Sequence, residues 1–282
     1  MSKKPRPPQA PLVVDLDRYR IAPGAPVRLA ERATDDTQSL DRTEAEAETA
    51  RLIEEIDGLQ ERLYAEGRQS LLIVLQAMDG AGKDSTIRSV FGPLNPQGIR
   101  IAAFKAPTEP ELAHDFLWRI HQQAPGKGEL VVFNRSHYED VLVVKVHGWA
   151  PADIIERRYD HIGAFERLLD DAGTRVVKLM LHVSKDYQLE RMRKRLEDPQ
   201  KHWKFNPGDL EERKLWDDYQ RAFETALERT STERAPWIVV PSEKRWFRDL
   251  IVARLVAEAL RAMNPQFPAP AYDPDAVSLD GA

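Results

Sequence analysis

The stretch that most limits the possible folds runs from Leu71 to Thr86. The apolar run Leu71-Leu72-Ile73-Val74-Leu75 leads, through Gln76, into Ala77-Met78-Asp79-Gly80-Ala81-Gly82-Lys83-Asp84-Ser85-Thr86. A short, continuously apolar run suits a strand buried on both faces, and such strands belong to parallel sheets covered by helices. A glycine-bearing turn after that strand, followed by a helix start, aims several backbone N–H groups at one point, and Lys83 adds a positive charge there. The stretch predicts a phosphate-binding loop, with Gly80, Ala81, Gly82, Lys83, Asp84, Ser85 and Thr86 around the anion. Its spelling departs from G-x-x-x-x-G-K-S/T: Ala77 stands at the first glycine, Asp84 at the hydroxyl position, and Asp79 puts a carboxylate inside the loop. Three roles are open to Asp79: holding Mg²⁺, orienting an acceptor oxygen, or capping the turn. A carboxylate close to phosphates is repelled without an intervening cation, so an Asp79 that faces the ligand implies a metal ion.

Further apolar runs follow at Ile99 to Phe104, Leu130 to Phe133, Val176 to Val183 and Trp237 to Val240, each separated from the next by a helix-length segment. This alternation predicts an α/β fold, a five-stranded parallel sheet with helices on both faces. Helices are expected from about Thr43 to Glu66, with Thr43 and Glu46 as a capping box, and at Lys83 to Phe91, Glu109 to Gln122, Ala152 to Asp171, Lys185 to Leu196, Leu210 to Arg229 and Lys244 to Met263. With 282 residues and 42% hydrophobic content, the chain can bury one substantial core. Six of its 20 prolines fall before residue 27 and four more after residue 264, in segments without apolar periodicity. Residues 1–39 are therefore expected to be an extended arm, 40–264 the compact domain, and 265–282 a flexible tail.

The absence of cysteine excludes disulfides and thiolate metal sites, and makes a reducing cytoplasm the expected location. No run of about 18 apolar residues exists, so no membrane partner is expected. A net charge of −5 argues against bulk nucleic-acid binding. Attention falls instead on local cation clusters. The third strand ends in Asn134-Arg135-Ser136-His137-Tyr138-Glu139-Asp140, at the carboxyl edge where ligands collect in open α/β sheets. Arg135 there can neutralise a transferring phosphoryl group, and Glu139 or Asp140 can hold Mg²⁺. His137 reads as a structural hydrogen-bonding residue. Lys105, directly after the second strand, is a candidate for a substrate phosphate. Arg191 and Arg195, four apart on a helix whose Leu189, Met192 and Leu196 would pack inward, project together. Asp198-Pro199 then starts a loop bearing Lys201 and Lys204, so residues 185–215 read as an arginine-rich lid able to close over phosphates.

Together, the loop Ala77 to Thr86, the Asn134 to Asp140 stretch, and Asp198-Pro199-Gln200-Lys201-His202-Trp203-Lys204-Phe205 resemble the family-2 polyphosphate kinases over about residues 40 to 264. That resemblance implies a thymidylate-kinase-like P-loop fold and reversible transfer of the terminal phosphate of inorganic polyphosphate to a nucleotide. It further implies Mg²⁺ as cofactor, with Mn²⁺ as the alternative, and a homodimer or homotetramer. By resemblance, Asp79 is a metal-binding and catalytic carboxylate, Lys83 and Arg135 hold the transferring group, and Arg191, Arg195, Lys201 and Lys204 guide polyphosphate. The subgroup that phosphorylates only ADP typically has aspartate at Asn134 and asparagine at Glu139. The spelling here is similar to the subgroup accepting both AMP and ADP, which implies successive formation of ADP and ATP. It places Lys105, Asn134 and Glu139 at the acceptor nucleotide and makes Glu139 the second metal ligand. Two competing readings are an ATP-dependent nucleoside monophosphate kinase and a non-catalytic P-loop module that senses nucleotides. Asp84 at the hydroxyl position counts against the first, and the lack of an identifiable switch segment against the second.

Overall fold

A computed structural model describes residues 12–277. Strands β1 (Ser70–Ala77), β2 (Ile99–Ala103), β3 (Leu130–Asn134), β4 (Thr174–His182) and β5 (Trp237–Pro241) form one sheet in the order β2-β3-β1-β4-β5. Every pairing is parallel. β1 lies at the centre and is buried along its whole length, as its apolar run requires. The chain moves from β1 to one side for β2 and β3, then crosses to the other for β4 and β5. Right-handed crossovers in opposite directions put their helices on opposite faces, and the reversal opens a crevice at the carboxyl end of β1.

The helices are α1 (Arg42–Glu66), α2 (Lys83–Thr86, continued by a π-helical turn Ile87–Phe91), α3 (Glu109–Leu112), α4 (Trp118–His121), α5 (Val143–Val146), α6 (Ala152–Asp171), α7 (Lys185–Glu197), α8 (Gly208–Lys214), α9 (Trp216–Thr230) and α10 (Arg245–Met263). α1 and α10 pack together, with α10 also against α2, while α6 packs against β4 and α9. None of the described helices is long and apolar enough to cross a membrane.

Several expectations shift. α1 starts one residue early, at Arg42, and its cap lies two residues before the expected one. Its cap is Asp41, whose Oδ1 accepts from the N–H groups of Thr43 at 2.8 Å and Glu44 at 3.0 Å, so the expected Thr43–Glu46 box does not form. The helix expected over residues 109–122 splits into α3 and α4, because the Asp115 carboxylate takes the Leu117 N–H at 2.9 Å and turns the chain between them. Leu196, expected to face inward, is 51% exposed, whereas Met192 is buried.

The described part of the N-terminal arm is extended but packed, unlike the free arm expected over residues 1–39. Leu16, Tyr19, Ile21, Val27 and Leu29 are buried, and the Ile21 N–H donates to Trp237 O at 2.8 Å. An antiparallel bridge between Arg20 and Ile238 covers the β5 edge, and Glu228 and Glu224 accept from the Val27 and Leu29 N–H groups. Covering an exposed strand edge removes a template for aggregation. Residues 265–277 run along the surface, and positions 1–11 and 278–282 of the two expected tails lie outside the described residues.

Candidate active site

The loop after β1 takes the backbone shape its glycines permit: φ is +83° at Gly80 and +109° at Gly82, values costly for any residue with a Cβ. Lys83 opens α2 with its side chain only 10% exposed. Its ammonium arches back over the loop, donating to Ala77 O at 2.9 Å and standing 4.0 Å from Asp79 Oδ1. The irregular residues have defined partners. Asp84, at the position of the usual hydroxyl, accepts from Asn134 Nδ2 at 2.9 Å, which ties the loop to the end of β3. Ser85 and Thr86 both donate their hydroxyls to Gly82 O, at 2.8 and 3.1 Å, which closes the turn from inside.

β3 delivers the second half of the site. Arg135 has a left-handed backbone, φ +64°, unusual for a non-glycine residue, with its N–H held by Leu75 O at 3.1 Å. This geometry accompanies a guanidinium that reaches Asp79, where Nη2 donates to Oδ1 at 2.8 Å. The next residues are fixed from below. Ser136 Oγ accepts from Gln76 Nε2 and from the Tyr138 N–H, and Tyr138 OH donates to Glu166 at 2.7 Å. Lys178 Nζ donates to the other Glu166 oxygen at 2.7 Å and to Thr230 O at 2.6 Å. His137 is buried in this network, 3.3 Å from Glu166. The buried ion pair thus anchors the short turn that carries Glu139.

Arg135, Asp79 and Glu139 line a cavity of about 300 Å³ whose far wall is Tyr219, Asp209 and Glu212. These three lid-side residues, with Gln188, were not legible as site residues. Gln188 Nε2 donates to Asp79 O at 2.8 Å and so ties α7 to the phosphate loop. Tyr219 OH donates to Glu212 Oε2 at 2.7 Å, and His147 approaches the other oxygen at 3.0 Å. Only the acidic Asp209-Leu210-Glu211-Glu212 run after the basic stretch hinted at this wall.

Burial and opposed charges together set the protonation of these groups. Burial pushes the Asp79 carboxyl up, but Lys83 and Arg135 outweigh it and hold the carboxyl below its ordinary value. Burial pulls the Lys83 ammonium down, with Asp79 opposing. Burial raises Glu139 above the ordinary carboxylate range despite Arg135 and Lys83. Arg135 is raised, since Asp79 and Glu139 more than offset its burial.

The lid cations separate. Arg195 Nη1 lies 3.5 Å from Asp209 Oδ2 and 3.4 Å from Lys204 O, so it braces the lid. Arg191 instead borders a second cleft of about 540 Å³ with Lys194, Lys244 and Arg245, and lies beside Gly80. Burial and the neighbouring Arg245 pull the Arg191 guanidinium below its ordinary value. Lys201 pairs with Asp198, and Lys204 Nζ lies 4.7 Å from the centroid of the Trp203 ring. Lys105 is exposed, one residue past the Phe104 N–H that donates to Asn134 O; it occupies the same sheet edge without touching the loop.

Mg²⁺ takes few protein ligands, usually one or two carboxylates together with water and substrate phosphates. Asp79 and Glu139 face one cavity and could supply those carboxylates.

Residues 39–268 match the family described as polyphosphate kinase 2. The chain is 50% identical over 257 residues to an AMP/ADP-polyphosphate phosphotransferase of Meiothermus ruber, covering 90% of this chain and 96% of that protein. It is 40% identical over 268 residues to an ADP-polyphosphate phosphotransferase of Rhodopseudomonas palustris, covering 89% and 91%. A crystal structure of polyphosphate kinase 2 from Arthrobacter aurescens TC1 superposes with a TM-score of 0.88 at 45% identity, over 92% of this chain and 93% of that one. With the phosphate loop and the β3 arginine meeting at the carboxyl end of β1, these likenesses establish that the chain belongs to the polyphosphate kinase 2 family.

Proposed function

We propose that this chain transfers the terminal phosphate of polyphosphate to AMP and then to ADP, reversibly and with Mg²⁺. The observation that carries this reading is the convergence of Lys83 and Arg135 on Asp79, two cations flanking one carboxylate at the mouth of two adjacent strands. The name of the Meiothermus relative agrees with both acceptors.

An oxygen of the acceptor's phosphate attacks the terminal phosphorus of the donor, and the bridging P–O bond breaks, leaving its electron pair on the shortened chain. The attacking oxygen is already ionised at neutral pH, so no residue need remove a proton. Catalysis then consists of positioning and charge neutralisation. Lys83 and the N–H groups of the loop hold the terminal phosphate, and Arg135 balances charge on the transferring group. When bound, Mg²⁺ neutralises and orients phosphate oxygens, with Asp79 and Glu139 to hold it. The cavity beside Arg135 receives the acceptor, whose phosphate end meets Asn134 and Glu139. Arg191, beside Gly80, borders a cleft with Lys194, Lys244 and Arg245, whose cations outnumber its carboxylates Glu46, Glu243 and Asp249 and suit the rest of the donor chain. Polyphosphate has no bases to read, so a row of cations is sufficient recognition, and its hold weakens with salt.

The donor distinguishes this reading from an ordinary nucleoside monophosphate kinase. Given AMP and Mg²⁺ with either polyphosphate or ATP as sole donor, the enzyme should form ADP rapidly only with polyphosphate. Faster ADP formation from ATP would overturn the reading.

A further inference from the structure

Beneath the phosphate loop lies a buried arginine that none of the loop chemistry accounts for. Arg248, in the first turn of α10, is 1% exposed. Its Nε and Nη2 grip Asp249 Oδ1 at 2.9 and 2.7 Å, which leaves Nη1 aimed at the loop. Nη1 donates to Ser85 Oγ at 3.1 Å, and a Cβ added to Gly82 would meet it at 2.3 Å. The guanidinium therefore rests against the loop backbone itself. Asp249 completes the attachment from its other oxygen, which accepts from Ser89 Oγ at 2.8 Å, one turn further along.

We infer that Arg248 is a positioning residue that presets the loop for the phosphate donor. Ser85 Oγ is a donor to Gly82 O and an acceptor from Arg248, so one hydroxyl links the arginine to the carbonyl that closes the turn. Gly82, at φ +109°, is free to take other backbone shapes, and the guanidinium packed against it favours this one. A buried cation touching that backbone also favours an anion on the far side of the thin glycine turn. Gly82 is thus required twice, by its dihedral and by the guanidinium packed where a side chain would go. The inference rests on the proposed donor being bound at this loop, but the loop's own order can be read without turnover.

The test compares the wild type with Arg248→Met, Arg248→Lys and Ser85→Ala, by hydrogen exchange of the loop amides and by steady-state kinetics. Arg248→Met should speed exchange over residues 80–86 while leaving β4 protected. It should raise the KM for polyphosphate about tenfold, the loss expected for a hydrogen bond to a charged group, with the KM for AMP within twofold of wild type. Arg248→Lys should recover part of both effects. If Arg248→Met lowers the folded fraction, Ser85→Ala, which removes only the linking hydroxyl, should reproduce the loop effect in folded protein. Unchanged exchange over residues 80–86 in both variants would overturn the inference whether or not polyphosphate is the donor. Equal increases in both KM values would overturn it as well, since they would report general loosening.

Discussion

Arg135 Nη2 donates to Asp79 Oδ1 across 2.8 Å, joining the residues that leave two adjacent parallel strands, β3 and β1. The pair sets the distance between the phosphate loop and the acceptor side of the cavity. Arg135→Lys keeps the charge but loses the planar fork. It should lower kcat about 10²- to 10³-fold with a smaller change in the KM for AMP, measured by initial rates at saturating polyphosphate.

In the proposed function Glu139, which lines the cavity, and Asn134, which is bonded to Asp84, serve the acceptor. Glu139→Asn should lower the ratio of AMP to ADP use, read from parallel initial rates with each acceptor. Asn134→Asp would replace an amide donor by a second carboxylate 2.9 Å from Asp84. It should weaken activity and lower the Mg²⁺ concentration needed for half-maximal rate, because a cation bound there relieves that repulsion. An unchanged acceptor ratio in Glu139→Asn would contradict the proposed selectivity.

Lys178 and Glu166 form a fully buried ion pair under the Glu139 turn, at 2.7 Å. Lys178→Met strands the carboxylate and should cost about 3–5 kcal/mol, a fall in Tm of roughly 10 °C. Adding Glu166→Leu should recover part of that loss, since neither charge then remains buried alone. A double variant less stable than the single one would show that the network does more than pair two charges.

Burial pushes the Asp140 carboxyl up to about 6 from an ordinary 3.8, with Arg158 at 3.3 Å opposing. The folded protein binds that proton more tightly than the unfolded chain, so Asp140 subtracts stability as pH rises through this window. Relative to Asp140→Asn, the wild type should lose up to about 3 kcal/mol between pH 4 and pH 7, measured by urea unfolding across that range.

The sheet was legible because each strand is a short apolar run, and a centrally buried parallel strand leaves no room for polar alternation. The phosphate loop was legible because its function is written in consecutive residues, from Asp79 to Thr86. The opposite holds for Arg248, Gln188 and Tyr219, which reach the site from α10, α7 and α9 only after the chain has folded. The packing of the arm around Ile21 is not legible because its apolar residues follow no period; their burial comes from lying along β5 and α9. Arg191 and Arg195 show the limit of helical spacing: four residues apart, only Arg191 borders the second cleft, because the lid folds Asp209 against Arg195.

The most direct measurement supplies purified protein with AMP, Mg²⁺ and long-chain polyphosphate, without ATP, and follows nucleotides by chromatography. ADP should appear first, then ATP, with polyphosphate consumed in step. Formation of neither ADP nor ATP would contradict the proposed function.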